Sequence, residues 1–136
     1  ISLAGVPIDL SKIKTPTYIL STRDDHIAPW QSTYAATGLY AGAKRFVLSA
    51  SGHIAGVVNP PVKEKYCYWT NAKTPKDPTA WLEGAKRVEG SWWPDWDAWL
   101  KKHAGAKDVG PRKPGSGKLK PLEDAPGSYV KVRIKE

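Results

Sequence analysis

The sequence predicts an α/β fold in which parallel strands are joined and flanked by helices. Apolar runs at 17–21 and 44–48 each end in small or polar residues, which is typical of buried strands that stop in a loop. Between them, Pro29 opens a segment with helical spacing of its large side chains that extends to about Tyr40. Two strands joined by a helix through short connections predict a parallel βαβ unit.

On this first helix we expect Trp30, Tyr34 and Gly38 to share the inner face. Gly42 is expected to close the helix, since glycine is common just past a helix end. Residues 1–11 predict a loop that leads into the first strand.

The middle of the chain has weaker signals. Residues 59–78 hold several prolines and three aromatics, and we expect an irregular loop that the aromatics pin to the domain. A short helix is predicted at 80–88 and a longer one at 91–104, with cations in its last turn. Four residues of the longer helix share one stripe and are expected in the core: Trp92, Trp96, Trp99 and His103.

The segment 105–136 is rich in Pro and Gly and strongly basic. It holds eight Lys and Arg against four Asp and Glu, which accounts for half of the formal net charge of +8. Because the remaining excess is scattered, a solvated basic surface is favoured over a nucleic-acid site. Alternating apolar and charged residues at 128–134 predict an edge strand. We therefore expect a folded portion at 1–104 and a Pro/Gly-rich basic tail at 105–136.

Length and composition indicate a globular protein. The chain has 136 residues, of which 40% are apolar, and can bury one core. No apolar run approaches the ~18 residues of a membrane-spanning helix, so no transmembrane segment is expected. Cys67 is the single cysteine, which excludes an internal disulfide and suits a reducing compartment. Because the sequence starts at Ile1 and contains no Met, we expect it to be part of a longer polypeptide.

Residues able to do chemistry follow both predicted strands. Asp24, Asp25 and His26 come after the first strand, and His53 comes after the second. Parallel strands deliver such residues to one sheet edge, where open α/β folds place ligands. A histidine titrates near neutrality, and a carboxylate can orient it as a general base. The order acid then histidine matches the last two members of a nucleophile–acid–histidine triad, so Asp25 and His53 are the candidate catalytic pair.

Other interpretations of these residues stay open. Asp25 also suits a helix cap or an ion pair, and His53 also suits a structural role bonded to backbone. Only one of Asp24 and Asp25 is expected to face His53, because neighbouring loop residues diverge. A metal site formed by the four residues is conceivable, but the sequence has no histidine pair at i,i+4 and no cysteine cluster.

The nucleophile of such a triad is missing from this sequence. No Gly-x-Ser-x-Gly motif occurs. Cys67 follows the histidine and has Lys65 and Trp69 where an elbow motif requires glycines. We therefore expect Cys67 to be structural.

Three segments carry a resemblance to a known family: STRDDHIAPW at 21–30, SGHIAGVVNPP at 51–61 and GSWWPDW at 90–96. Together they resemble the carboxyl-terminal part of class I polyhydroxyalkanoate synthases, over nearly the whole chain. The resemblance implies the carboxyl-terminal portion of an α/β-hydrolase fold. It also implies an acyltransferase that polymerises (R)-3-hydroxyacyl-CoA into a storage polyester with release of coenzyme A.

The resemblance also assigns roles. Asp25 and His53 match the catalytic aspartate and histidine of the family, whose nucleophilic cysteine would lie upstream of this chain. His26 is a candidate supporting residue beside the pair. As partners, the resemblance implies the growing polyester chain, a granule surface in the cytoplasm and a second copy in a full-length homodimer. It implies neither a cofactor nor nucleic acid.

Two other classes of function remain open. An esterase or polyester depolymerase of similar fold would share Asp25 and His53 but carry a serine nucleophile. A basic, non-enzymatic binding module would instead use 105–136 on nucleic acid or on a granule surface, with steep salt dependence.

Overall fold

A computed structural model describes residues 1–105, 107–115 and 117–134 of the chain. The chain divides into two compact units, Ile1–Ala104 and Gly105–Glu136. None of the helices in the described ranges has both the length and the apolar character needed to cross a bilayer.

The first unit contains a two-stranded and a four-stranded sheet. The small sheet pairs β1 (Ser2–Leu3) with β2 (Val6–Pro7) in antiparallel fashion. The strands of the large sheet lie in chain order: β3 (Thr17–Thr22), β4 (Lys44–Ser49), β5 (Cys67–Thr70) and β6 (Lys86–Glu89). β3 and β4 are parallel, whereas β5 and β6 are each antiparallel to the strand before them. This mixed sheet with its helices is consistent with an α/β fold.

Helices connect the strands of the large sheet. Two short helices, α1 (Trp30–Tyr34) and α2 (Ala36–Leu39), lie between β3 and β4 and meet at Ala35. α3 (Pro78–Glu83) precedes β6, and α4 (Trp93–His103) follows it. The predicted strand–helix–strand unit is therefore confirmed, with its helix interrupted once.

The prediction of parallel strands alone, with an irregular loop at 59–78 and a helix to residue 88, is wrong. β5 lies inside the supposed loop, and β6 replaces the second half of the supposed helix. Tyr68 and Trp69 of β5 lie on opposite faces of the sheet, and both faces are covered. The strand therefore lacks the alternation of apolar and polar residues by which a half-buried strand is predicted. In β6 only Val88 is apolar, so pairing with β5 decides its conformation.

One face of the large sheet packs against α1 and α3. Its core joins Ile19, Phe46 and Leu48 of the strands to three helical aromatics, Trp30, Tyr34 and Trp81. The rings of Tyr34 and Trp81 each lie 4.9 Å from that of Phe46 in edge-on geometry. The alternation of Ile19 and Leu20, which face opposite sides, follows from the two-residue period of a strand.

The opposite face packs against the start of α4. Val47 and Tyr68 contact Trp92 in the core of this side. In the first turn of α4, Asp95 accepts hydrogen bonds from the Tyr18 hydroxyl at 2.9 Å and from Arg45 Nε at 2.8 Å. Burial and the neighbouring Asp95 carboxylate raise the pKa of Tyr18, so its hydroxyl remains a donor at neutral pH.

Three expectations for the helices are wrong. Gly38 is exposed, and Thr37 is buried in its place, because the break at Ala35 changes the phase of the helix. Gly42 does not end the helix, which stops at Leu39. A Cβ at Gly42 would lie 2.5 Å from two backbone carbonyl oxygens, so this glycine permits close chain packing. Trp96 is 40% exposed and His103 is exposed as well, so these two members of the predicted stripe do not lie in the core.

The predicted edge strand at 128–134 is also wrong. The second unit forms a turn of 3₁₀ helix at Tyr129–Lys131, and Val130, Val132 and Ile134 are all exposed. Within the described residues of this unit these side chains have no strand to pair with, and a strand without a ladder partner is not stable.

Candidate active site

The loops after β3 and β4 are held side by side. The N–H of Arg23 donates to the carbonyl of Ser49 at 2.8 Å, and the N–H of Asp24 donates to that of Ser51 at 3.1 Å. The parallel pairing thus continues beyond the ends of both strands. It places the segment that carries Asp25 beside the segment that carries His53.

Asp25 uses its two carboxylate oxygens differently. Oδ1 accepts the backbone N–H groups of Ile27 and Ala28, both at 2.9 Å, which fixes the turn that leads into α1. Oδ2 lies 2.7 Å from Nδ1 of His53 and 3.5 Å from the Thr22 hydroxyl. The Asp25 side chain is only 7% exposed, so it is a local cap and an oriented partner of His53 at once.

The hydrogen bonds keep the Asp25 carboxylate charged. Its pKa is lowered from 3.8 to about 2, chiefly by the Ala28 N–H and then by the bond to His53. A carboxyl with a lowered pKa stabilises the fold fully above its unfolded value of 3.8, and this contribution is lost as the pH falls through about 2. Asp25 is therefore an anion across the pH range in which a histidine titrates.

His53 uses one of its two ring nitrogens for a hydrogen bond within the described residues. Its side chain is 50% exposed, and within the described residues its ring forms a hydrogen bond through Nδ1 alone. Because the Asp25 carboxylate can only accept, Nδ1 carries the proton in this pair. The neutral imidazole then has its lone pair on Nε2, which is the arrangement of a general base.

The turn around His53 depends on close packing. Ser51 has a left-handed φ of +75°, and Gly56 lies so near its neighbours that a Cβ there would be 2.5 Å from Thr22 Cγ2 and from the Ala50 carbonyl. Neither feature would persist without tertiary contacts around it. The turn is therefore specified by its surroundings as well as by its own sequence.

Asp24 and His26 stay outside the pair. Both are exposed, and within the described residues neither side chain forms a hydrogen bond or an ion pair. The described residues also contain no group of three or more His, Cys, Asp or Glu side chains arranged to hold a metal ion. The geometry thus brings together Asp25 and His53 and leaves the other two candidates unengaged.

Cys67 lies on β5 with its side chain buried. Arg87 Nε, on the neighbouring strand β6, donates to Cys67 Sγ at 3.2 Å, and the Cys67 carbonyl accepts the Ala50 N–H at 2.8 Å. The proximity of the thiol raises the pKa of Arg87. These contacts account for Cys67 as part of the sheet, and a structural role for it remains a prediction.

Close relatives of the chain share one activity. It is 53% identical over 133 residues to the poly(3-hydroxyalkanoate) polymerase subunit of Cupriavidus necator, a match that covers 98% of this chain and 23% of that protein. With the corresponding subunit of Rhizobium etli the identity is 48% over 131 residues, 96% of this chain and 20% of that protein. A poly(3-hydroxyalkanoate) polymerase of Ectopseudomonas oleovorans is 41% identical over 98% of the chain and 24% of its own length. The chain belongs to the poly(3-hydroxyalkanoate) polymerase family.

The family prediction is therefore confirmed for a segment of such a polymerase. The chain spans only about a fifth to a quarter of the length of these poly(3-hydroxyalkanoate) polymerases. No protein-family profile matches it. It is also 30% identical over 70 residues, 51% of the chain and 27% of the relative, to a protein of Pseudomonas savastanoi pv. phaseolicola whose name assigns it provisionally to carbamate hydrolysis.

Sequence reasoning missed the residues of this polymerase segment that hold the turn around His53. Trp92 was expected only to fill the core and Trp93 only to cap the helix, yet the indole N–H groups of both donate to carbonyls of that turn. Ser49 was expected only to end a strand, yet its hydroxyl bonds to the same turn. The one signal in the sequence is that a loop such as 50–56, in which only Ser51 and His53 have side-chain donors, has few donors of its own for its carbonyls.

Proposed function

We propose that this chain supplies the aspartate–histidine half of the catalytic centre of a poly(3-hydroxyalkanoate) polymerase. The observation that carries the proposal is the 2.7 Å contact between Asp25 Oδ2 and His53 Nδ1, in a histidine whose side chain is half-exposed. The nucleophile is a cysteine of the same polymerase that lies outside this chain. Coenzyme A thioesters of (R)-3-hydroxy acids are the substrates.

In the acylation step His53 acts as the general base. Nε2 takes the proton of the cysteine thiol, and the thiolate attacks the thioester carbonyl. A bond forms between the cysteine sulfur and the acyl carbon, and the bond to the sulfur of coenzyme A breaks. The departing thiolate takes the proton from the imidazolium, whose positive charge the Asp25 carboxylate stabilises meanwhile.

In the extension step the same pair activates an alcohol. Nε2 of His53 accepts the proton of a 3-hydroxyl group, whose oxygen attacks the carbonyl carbon of an acyl thioester and forms the new ester bond. The carbon–sulfur bond of the thioester breaks, and the departing thiolate takes the proton from the imidazolium. An alcohol is far less acidic than a thiol, so this step depends more strongly on a histidine that is oriented and stabilised by a carboxylate. His26, which adjoins Asp25 in sequence, is at most a supporting residue.

The same proposal covers the setting of the site. Residues 1–104 form the carboxyl-terminal portion of an α/β-hydrolase catalytic domain, and 105–136 form a basic tail. The complete enzyme acts as a homodimer in the cytoplasm at the surface of polyester granules. This chain alone, which lacks the nucleophile, is inactive.

Substitution of His53 tests the proposal. In the full-length polymerase, His53→Ala should abolish polymer formation and slow coenzyme A release in a single turnover by at least ~100-fold, the contribution of a general base. His103→Ala on α4 is the matched control, because it removes a histidine from the same unit without touching the pair. Acylation by His53→Ala at the wild-type rate would refute the proposal.

The position of the nucleophile is tested with Cys67. Because Cys67 is buried against Arg87, Cys67→Ala in the full-length enzyme should keep most of the activity. Covalent acyl labelling is measured by mass spectrometry of the intact enzyme. If labelling disappears in Cys67→Ala, the nucleophile lies in this chain.

A hydrolase is the second candidate, favoured by the partial match to the carbamate-hydrolase-like relative. It would use the same pair with a serine nucleophile and pass the acyl group to water. The products separate the two functions, since a hydrolase releases free 3-hydroxy acid and a polymerase forms polyester. Inactivation by a thiol-alkylating reagent in Cys67→Ala enzyme would favour the polymerase.

A further inference from the structure

Two consecutive carbonyls in the turn that carries His53 collect donors from elsewhere in the fold. The carbonyl of Gly56 accepts the Ser49 hydroxyl at 2.8 Å and the Trp92 indole N–H at 3.1 Å. The carbonyl of Val57 accepts the Trp93 indole N–H at 3.0 Å and also the Trp92 indole N–H at 3.2 Å. Two adjacent tryptophans at the start of α4 thus donate hydrogen bonds to these two consecutive carbonyls.

The backbone at Gly56 and Val57 is hydrogen-bonded to the residues before and after His53. The N–H of Gly56 donates to the carbonyl of Gly52 at 3.0 Å, and the N–H groups of Val57 and Val58 donate to that of Ile54 at 3.1 and 2.8 Å. Gly52 and Ile54 are the neighbours of His53 in sequence. A shift of the Gly56 and Val57 carbonyls would therefore move the backbone before and after His53.

The turn needs such restraint from outside. Ser51, two residues before His53, has the left-handed φ of +75° that non-glycine residues rarely adopt. Trp92, Ser49 and Gly56 are buried, so the Gly56 carbonyl would not readily replace a lost donor with water, whereas the bond from Trp93 to the Val57 carbonyl is exposed.

From these contacts we infer that Trp92 and Trp93 are positioning residues, whose indole N–H groups hold the His53 turn so that Nδ1 meets Asp25. The inference rests on the proposed function, in which His53 is the general base. A displacement of about 1 Å in a reacting group can reduce a rate by about 100-fold, so these distant hydrogen bonds act on the rate of chemistry.

The experiment removes the indole N–H donor of each tryptophan and keeps the shape of its side chain. In the full-length polymerase, Trp92 and Trp93 are replaced one at a time by 3-benzothienylalanine, in which sulfur takes the place of the indole N–H, and separately by Phe. Trp96 receives the same replacements as the control. It lies on the same helix with its ring 5.9 Å from that of Trp92, and within the described residues its indole forms no hydrogen bond.

Single-turnover release of coenzyme A separates positioning from folding. The amplitude reports the fraction of folded enzyme, and the rate constant reports the geometry of the site. We expect the rate constant to fall by about tenfold or more in the Trp92 and Trp93 variants at unchanged amplitude, and to stay the same in the Trp96 variants. If the Phe variants fail to fold, the isosteric variants decide.

Two results would overturn the inference. One is an unchanged rate constant in both isosteric variants, and the other is a loss of amplitude alone, which would mean that the indoles only stabilise the fold. His53→Ala is measured in parallel to separate this inference from the proposed function. A severe defect in His53→Ala beside normal tryptophan variants would refute only the inference, whereas normal acylation by His53→Ala would refute the proposed function.

Discussion

At the residue scale, the two oxygens of Asp25 have different partners. Oδ1 accepts two backbone N–H groups and fixes the carboxylate, and Oδ2 is thereby aimed at His53. A carboxylate held in this way has its orientation settled before substrate binds. Part of the cost of organising the site is met during folding.

Asp25→Asn is expected to separate the two chemical steps. The imidazole alone can ionise a thiol to a useful extent, so acylation should remain measurable, while chain extension through the alcohol should collapse. The measurement is single-turnover coenzyme A release beside polymer yield in the full-length enzyme. Asp24→Asn is the control, because the Asp24 side chain is exposed and unengaged in the described structure.

The lowered pKa of Asp25 adds a pH signature. Since it is about 2, Asp25 stays ionised from pH 5 to 8, and its own protonation should cause no change of the wild-type rate with pH in this range. Equal loss of acylation and extension would contradict the division of labour. A severe defect in Asp24→Asn, with a mild one in Asp25→Asn, would show that the wrong aspartate is assigned.

At the scale of elements, the attachment of α4 to the sheet matters most for the site. Asp95 joins the first turn of α4 to β3 through Tyr18 and to β4 through Arg45. Trp92 and Trp93, which donate hydrogen bonds to the His53 turn, lie just before Asp95 in sequence. The same short segment therefore anchors the helix and supports the turn.

Asp95→Ala should loosen this attachment. It leaves the Tyr18 hydroxyl and the Arg45 guanidinium without their acceptor, and we expect the full-length enzyme to lose about 1–3 kcal/mol of stability. Asp97→Ala is the matched control on the same helix. Within the described part of the chain its carboxylate pairs with Lys101 alone, in an exposed i,i+4 bridge worth about 0.5 kcal/mol.

Urea denaturation followed by tryptophan fluorescence measures both variants. Asp95→Ala should shift the midpoint to lower urea, and Asp97→Ala should leave it nearly unchanged. Equal midpoints for the two variants would mean that the Asp95 cluster does not stabilise the attachment of α4.

At the scale of the whole molecule, the chain has unpartnered surface. Within the described residues β3 pairs on one side only, with β4, although parallel strands are normally covered on both sides and at their edges. Several large apolar side chains of the first unit are exposed, among them Leu3, Val6, Ile27 and Ile54. The curated polymerases are four to five times as long, and we expect the remainder of such a polymerase to cover these surfaces.

The isolated chain is therefore predicted to be aggregation-prone or molten, with retained helical signal in far-UV circular dichroism and strong binding of a hydrophobic dye. Thermal unfolding by calorimetry and size-exclusion chromatography provide the measurements. The full-length enzyme, which should melt cooperatively, is the comparison. A soluble monomer of residues 1–136 with a sharp cooperative transition would contradict this prediction.

The sequence by itself determined the parts of the protein that local chemistry specifies. The runs that form β3 and β4 are apolar and end in small residues, and parallel strands meet at one edge, so the proximity of Asp25 and His53 could be predicted. The family could also be recognised, because the segments at 21–30, 51–61 and 90–96 resemble it.

Only the tertiary structure decided the rest. β5 and β6 are four residues each, and they become strands through the partners they pair with, not through a pattern of their own. Trp92 is buried against Val47 and Tyr68 of the sheet, whereas Trp96, on the same stripe, is 40% exposed, and the packing of α4 decides between them. The hydrogen bonds from Trp92 and Trp93 to the His53 turn join residues 35 and 36 positions apart, and no local sequence pattern encodes a contact over that separation.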